Sequence, residues 1–135
     1  MKRYLILTLC AGIAAFAVSC AKSGPASEAK KLADATVSIT QSTAEKLDKA
    51  SNAKDAADAL VSYATEMKTI ADKSKEFRAK YPNFDDKNDP TMKDEQEKIQ
   101  KTIASFSAAM SKAMMKYAGS KEMMDAITKM SELTR

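Results

Sequence analysis

A long stretch of this chain lacks the residues that break helices. Between Ser27 and Tyr81 there is neither Gly nor Pro, and the apolar residues recur at steps of three and four. That spacing places them on one face of an α-helix. After residue 19, nearly half of the chain is Ala, Glu, Lys, Leu or Arg, a share typical of long helices. The pattern predicts an all-α protein.

Residues 27–80 are compatible with one helix or with two. Asn52 is a favourable N-cap, and Asp55 stands three residues later, as in a variant of the capping box. The helical phase of the apolar residues nevertheless runs almost unbroken through this point. We expect a turn at Ser51 and Asn52, and the alternative is a single helix of about fifty residues, roughly 75–80 Å long.

The second half of the chain carries clear turn signals. Two prolines and five Asp or Asn residues lie within residues 81–90, which predicts a loop. Asp89 and Pro90 fit the N-cap and first turn of the next helix, and Gly119 fits the left-handed position after its end. We therefore expect residues 27–135 to form an antiparallel up-down bundle of three long helices plus a short C-terminal helix.

The predicted core is thin because large aliphatic residues are scarce: Leu, Ile, Val and Phe number 14 after residue 19. Ala and Met must supply the remaining apolar surface, which predicts close helix packing and modest stability. The residues predicted to be buried share the helical spacing and are Leu32, Val37, Ile39, Leu47, Ala50, Leu60, Ala64, Met67, Ile70, Ala71, Phe77, Tyr81, Met92, Ile99, Ile103, Phe106, Met110, Met114, Tyr117, Met123, Ile127, Met130 and Leu133.

The N-terminus has the pattern of an export signal. Lys2 and Arg3 precede an almost wholly apolar stretch from Tyr4 to Val18. Fifteen helical residues span roughly 22 Å, less than the ~30 Å hydrocarbon core of a membrane. We therefore predict that residues 1–19 are a cleaved signal peptide and not a permanent membrane-spanning helix.

The end of this stretch, Ala17-Val18-Ser19-Cys20, resembles the lipobox of bacterial lipoproteins. The resemblance implies that signal peptidase II cleaves before Cys20 once its thiol carries a diacylglyceryl group. Ala17 departs from the usual pattern, in which Leu, Ile or Val is commonest at that place. Cleavage by the ordinary signal peptidase is the alternative. Cys10 lies in the discarded segment, so Cys20 is the predicted lipidation site and has no disulfide partner.

The same resemblance implies a location. Acyl chains on Cys20 would anchor the protein in the membrane of the cell envelope. Because Ala21 follows in place of Asp, the outer membrane is the expected destination where the host has one. Residues 20–26 would form the lipidated cysteine and its tether. The whole chain is similar to small helical envelope lipoproteins, which implies a structural role or the binding of a protein partner.

Residue inventory argues against catalysis and against nucleic acid as a partner. The chain has no histidine, and no nucleophile stands at a meaningful spacing from a base. We predict no catalytic residue and no enzyme activity. The net charge is +4, two units of which come from Lys2 and Arg3, and the remaining charges are interleaved. No basic cluster of the kind that binds nucleic acid is present.

Six methionines fall between residues 110 and 130: Met110, Met114, Met115, Met123, Met124 and Met130. We interpret them chiefly as core, and otherwise as an adaptable partner surface. The alternative function is a periplasmic carrier of a small ligand or a soft metal, since thioethers bind Cu(I). An EF-hand in the acidic loop fails because Pro90 and Thr91 occupy its ligand and glycine positions. We predict no cofactor and no metal site.

Overall fold

The computed structural model describes residues 24–133, and within them four α-helices follow one another without a strand. They are α1 (Pro25–Lys49), α2 (Ala53–Lys80), α3 (Lys93–Lys116) and α4 (Lys121–Leu133), and a 3₁₀ turn (Pro90–Met92) precedes α3. The prediction of an all-α fold is confirmed. The predicted signal peptide and Cys20 lie outside the described residues.

The stretch without Gly or Pro forms two helices, as the Asn52 capping pattern predicted. The Oδ1 atom of Asn52 accepts a hydrogen bond from the backbone N–H of Asp55 at 2.9 Å. The Asp55 carboxylate in turn accepts hydrogen bonds from the side chains of Asn52 and Ser51, each at 2.9 Å. These bonds satisfy groups that the first turn of α2 leaves unpaired, so a turn forms without a helix breaker.

The other helix ends also follow local signals. Asp89 Oδ1 accepts a hydrogen bond from the N–H of Thr91 at 2.8 Å and caps the 3₁₀ turn. Gly119 has φ +79°, the left-handed conformation expected after α3. Helix α1 begins before residue 27, the predicted start of the bundle: Gly24 is its N-cap and Pro25 is its first helical residue. Proline suits this first position since its missing N–H would be unpaired anyway.

Ion pairs show how the helices run. Lys80 at the end of α2 lies 2.7 Å from Glu28 at the start of α1, so α1 and α2 are antiparallel. Lys30 pairs with Glu95 near the starts of α1 and α3, and Asp48 pairs with Lys112 near their ends. The chain direction alternates along the sequence, but α3 packs mainly on α1, in parallel, while α4 packs on α2.

The core is built from alanine to a greater extent than predicted. Of the 17 buried hydrophobic residues in the described part, 11 are alanines, which allow helix axes to approach closely. The larger cluster surrounds Leu60 and Phe106 and includes Met123. The smaller cluster lies between the starts of α1 and α3 and consists of Ala29, Ala33 and Met92, with half-buried aromatic rings against it.

Four residues predicted to be buried are exposed. Ile103 is 50% exposed, and Met114 and Ile127 are each 42% exposed; Ala71 is exposed as well. They stand at the correct helical spacing, but the neighbouring helix needed to cover them is absent or too short. At 1.5 Å per residue, the 13 residues of α4 span roughly 20 Å, whereas the 28 of α2 span roughly 42 Å.

Candidate functional site

The structure locates the end of the bundle to which Cys20 is attached. Helix α1 begins at Pro25, five residues after Cys20, and five extended residues reach roughly 17 Å at most. We call this end the tether end; it comprises the start of α1, the end of α2, residues 81–92 and the start of α3. The opposite end, with the α1–α2 turn and Gly119, is the distal end.

The six methionines do not share one environment. Met123 is 3% exposed inside the larger cluster, and Met110 and Met130 are half-buried against it. Met115 is 74% and Met124 58% exposed. The interpretation of these residues as core therefore holds for half of them, and the thioethers are divided between interior packing and the protein surface.

The exposed apolar side chains are concentrated on two helices. Within residues 24–133 the five strongly exposed large hydrophobic residues all lie on α3 and α4, and we call them the methionine surface: Ile103, Met114, Met115, Met124 and Ile127. Ile103 and Met114 lie three turns apart on almost the same line of α3, and Met124 and Ile127 are neighbours at i,i+3 on α4. No charged residue occurs between Lys101 and Lys112.

The methionine surface and α1 lie on different sides of α3. Lys112 contacts Asp48 of α1 at 3.4 Å, and Lys116 donates a hydrogen bond to the Ala50 carbonyl at 3.1 Å. The hydroxyl of Tyr117 also donates to that carbonyl, at 2.7 Å. These contacts hold the charged flank of α3 against α1 and leave its uncharged flank, which carries Ile103 and Met114, turned away from α1.

A cavity of about 350 Å³ lies at the tether end. We call it the tether-end cavity. It opens between α1, α2, α3 and the loop because α4 is too short to fill the fourth position at this end. Its apolar lining comes from Ala29, Leu32, Ala33, Phe77, Pro82, Phe84, Met92 and Ile99, and its polar lining from Thr36, Ser74, Arg78, Tyr81, Asp86 and Gln96.

Hydrogen bonds hold the walls of this cavity in place. Glu28 Oε1 accepts hydrogen bonds from Lys80 Nζ at 2.7 Å and from the Tyr81 hydroxyl at 3.0 Å. The hydrogen bond to Glu28 is the main cause that raises the pKa of Lys80 above its ordinary value, and the neighbouring Tyr81 hydroxyl is the second. Gln96 donates to the backbone carbonyl of Asp86 at 2.6 Å. The loop is thus fastened to both α1 and α3.

The loop carboxylates already have partners. Asp85 accepts hydrogen bonds from the Asn88 side chain and the Lys87 N–H, and these lower the pKa of Asp85. The Thr91 hydroxyl and N–H likewise lower the pKa of Asp89. In the described part of the chain, no group of three or more His, Cys, Asp or Glu side chains is placed to hold a metal ion. The carboxylates of Asp85 and Asp89 therefore serve as caps.

Sequence reasoning missed the tether-end cavity and did not single out Arg78, which lines it. The helical spacing of Phe77 and Tyr81 indicated an apolar face, but not that the position opposite this face stays empty. Among residues 24–133 no helix is both long and apolar enough to cross a membrane. Comparisons with known protein families, curated proteins and solved structures give no match for this chain.

Proposed function

We propose that this protein is a non-enzymatic lipoprotein of the cell envelope that binds a protein partner through its methionine surface. Residues 1–19 are removed as a signal peptide, and the acylated Cys20 holds the protein in the membrane, the outer membrane where the host has one. Residues 20–24 link this anchor to the helical bundle, which begins at Pro25 and whose helices run alternately up and down.

The observation that supports this proposal is the separation of the two ends. Helix α1 starts five residues after Cys20, so the tether end stays close to the membrane. Met114, Met115 and Met124 lie close to the Gly119 turn, at the distal end. The 24 residues of α3 separate the two ends by roughly 36 Å. An anchored bundle of this kind presents its exposed apolar side chains away from the lipid.

Methionine suits such a contact surface. Its unbranched, polarisable side chain adapts to partners of different shape, and exposed apolar groups that lie together mark interaction sites more often than scattered ones do. Ile103 lies in the uncharged segment between Lys101 and Lys112, which at this point of α3 favours a partner with an apolar surface over one with a strongly charged surface. Lys112 and Lys116 lie on the other flank of α3, where they contact α1.

Metabolic labelling with palmitate tests the anchor. The wild type and a Cys10→Ala variant should incorporate label, and Cys20→Ala should not, because only Cys20 follows the lipobox pattern. The Cys10 variant is the matched control, since it removes a thiol without touching the predicted cleavage site. Absence of label from the wild type, or equal labelling of Cys20→Ala, would refute the anchor.

Site-specific photo-crosslinking in intact envelopes tests the partner surface. A crosslinker at position 124 should give a discrete protein adduct, and Met114→Lys should abolish that adduct. A crosslinker at Lys68, which is exposed on α2, serves as the control and should give none. If positions 124 and 68 give the same adducts, the methionine surface is not the binding site.

A further inference from the structure

The lining of the tether-end cavity is more apolar than polar. Two half-buried hydroxyls in this lining are already engaged: Thr36 donates to the Leu32 carbonyl and Ser74 to the Ile70 carbonyl, both at 2.8 Å. Tyr81 donates to Glu28. Phe77 and Phe84 meet edge to face, with ring centroids 5.6 Å apart. A ligand entering this space would therefore contact aliphatic and aromatic surface.

A single cation without a partner borders this apolar space. Arg78 is exposed and lines the cavity, and no ion pair or hydrogen bond of its side chain occurs in the part of the chain that the structure describes. Two other cations at this end are engaged, Lys80 with Glu28 and Lys30 with Glu95. A guanidinium group presents a planar pair of donors that matches a carboxylate.

We propose that the tether-end cavity binds one fatty-acid molecule, with its hydrocarbon chain inside the cavity and its carboxylate on Arg78. A volume of about 350 Å³ lies in the range of small-molecule sites. Burial of the hydrocarbon chain supplies the affinity, which grows with each methylene removed from water, and the ion pair with Arg78 orients the fatty acid with its carboxylate at the opening.

Asp86 also lines the cavity, with a charge opposite to that of Arg78. The two residues together allow a test of the charge of the ligand's head group. Asp86 lies on the loop, and its backbone carbonyl is held by Gln96. Its carboxylate repels an anionic head group while Arg78 attracts it. For a carboxylate ligand, Asp86→Asn should therefore tighten binding and Arg78→Gln should weaken it. A neutral ligand would respond to neither change.

The position of the cavity in the bundle suits a ligand that comes from the membrane. It lies at the end that Cys20 would hold near the lipid, where free fatty acids partition. This source of the ligand rests on the proposed function, but the binding site itself does not. A fragment of residues 21–135 contains all four helices and lacks the acylated cysteine. Binding by this fragment is independent of the anchor.

Calorimetric titration of the 21–135 fragment with dodecanoate, below its micelle concentration, tests the proposal. We expect saturable binding of one molecule per chain. Ser74→Phe, which fills the cavity, should abolish it, while Ser62→Phe, on the same helix away from the cavity, should leave it unchanged. Circular dichroism of each variant verifies that the helices are intact, and a cavity-filling Ala33→Leu variant replaces Ser74→Phe if the latter unfolds.

Separate measurements test whether the ligand is an acid whose carboxylate binds Arg78. Arg78→Gln should weaken dodecanoate binding about tenfold, and Lys75→Gln, which removes an exposed cation elsewhere on α2, should not. Dodecanol should bind less tightly than dodecanoate. Absence of saturable binding, or full binding by both cavity-filling variants, overturns the proposal. Equal affinity for dodecanol and dodecanoate, or an Arg78→Gln variant that binds as the wild type does, overturns the assignment of a fatty acid.

Discussion

Glu95 is a charged residue in an apolar position, at the packing face between α1 and α3. Its side chain is only 10% exposed, and its nearest cation, Lys30 Nζ, lies 3.9 Å from Oε1. The other oxygen, Oε2, is buried without a hydrogen-bond partner. A buried oxygen in this state costs about 1–3 kcal/mol, and a single ion pair with a half-exposed lysine offsets only part of that.

Glu95→Met should therefore stabilise the protein by about 1 kcal/mol, because it removes the unsatisfied oxygen and keeps the volume. The Lys30 side chain, 42% exposed, can return to water at little cost. Urea unfolding followed by circular dichroism measures the change. Glu97→Met, at an exposed position of the same helix, is the control and should change stability by less than about 0.5 kcal/mol. A destabilised Glu95→Met protein would contradict this reading.

The capping residues are also effects of single residues, and the sequence predicts them well. Asn52, Asp89 and Gly119 occupy the positions that their chemistry favours, since each acts on backbone groups within three residues of itself. Thr40 shows the limit of such reasoning. It is only 2% exposed, and its hydroxyl is satisfied by the Thr36 carbonyl at 2.7 Å. A polar residue that can satisfy itself locally gives no sequence signal of burial.

At the scale of elements, α4 decides the difference between the two ends of the bundle. It carries Met123 and Ala126 into the larger cluster and packs on α2, leaving the tether end with three helices. Adjacent methionines on this helix have opposite environments, because Met123 is 3% and Met124 58% exposed.

This contrast gives a matched pair of substitutions. Met123→Ala should destabilise the protein by about 2–4 kcal/mol through lost burial and a cavity. Met124→Ala removes the same atoms from an exposed site and should change stability by less than about 0.5 kcal/mol. The urea midpoints of the two variants measure the difference. Equal midpoints would show that α4 does not pack as described.

The loop before α3 gives a prediction about acid. The pKa values of Asp85 and Asp89 are lowered from 3.8 by hydrogen bonds that exist in the folded loop. Their charged forms therefore stabilise the loop at any pH above about 3.8, and this contribution is lost as pH falls through the lowered folded values.

The amide resonances of Lys87 and Thr91 should accordingly stay constant between pH 7 and 5 and shift below pH 4, when the carboxylates that accept their hydrogen bonds become protonated. An NMR titration measures this. The Asp85→Asn variant is the control and should remove the acid shift at Lys87 while leaving the one at Thr91. A Lys87 shift centred near pH 6 would contradict the mechanism.

For the molecule as a whole, the two clusters predict unequal stability along the bundle. The larger cluster joins all four helices around Leu60 and Phe106. The smaller one has three buried residues, of which two are alanines, beside a cavity. Local openings need less free energy where fewer apolar contacts are lost.

Hydrogen exchange should therefore be faster in residues 67–80 and 93–103 than in residues 56–64 and 106–113. Mass spectrometry of peptic fragments measures the rates, and fast-exchanging helix termini are compared separately so that fraying is not counted. Uniform protection along α2 and α3 would show that the bundle opens as one unit and would refute the division into two clusters.

The sequence by itself determined the helices, most of their capping residues and the apolar side of each helix. Those features depend on contacts within about four residues, where the type and spacing of neighbours decide the outcome. Only the tertiary structure decided that α3 lies beside α1, that Met114 and Ile103 remain uncovered, and that a cavity opens beside Arg78. Helical phase specifies which side of a helix is apolar, but which helix covers that side depends on lengths and crossings of elements far apart in the chain. Because α4 spans roughly 20 Å and α2 roughly 42 Å, the same apolar spacing yields core at one end and an open cavity at the other.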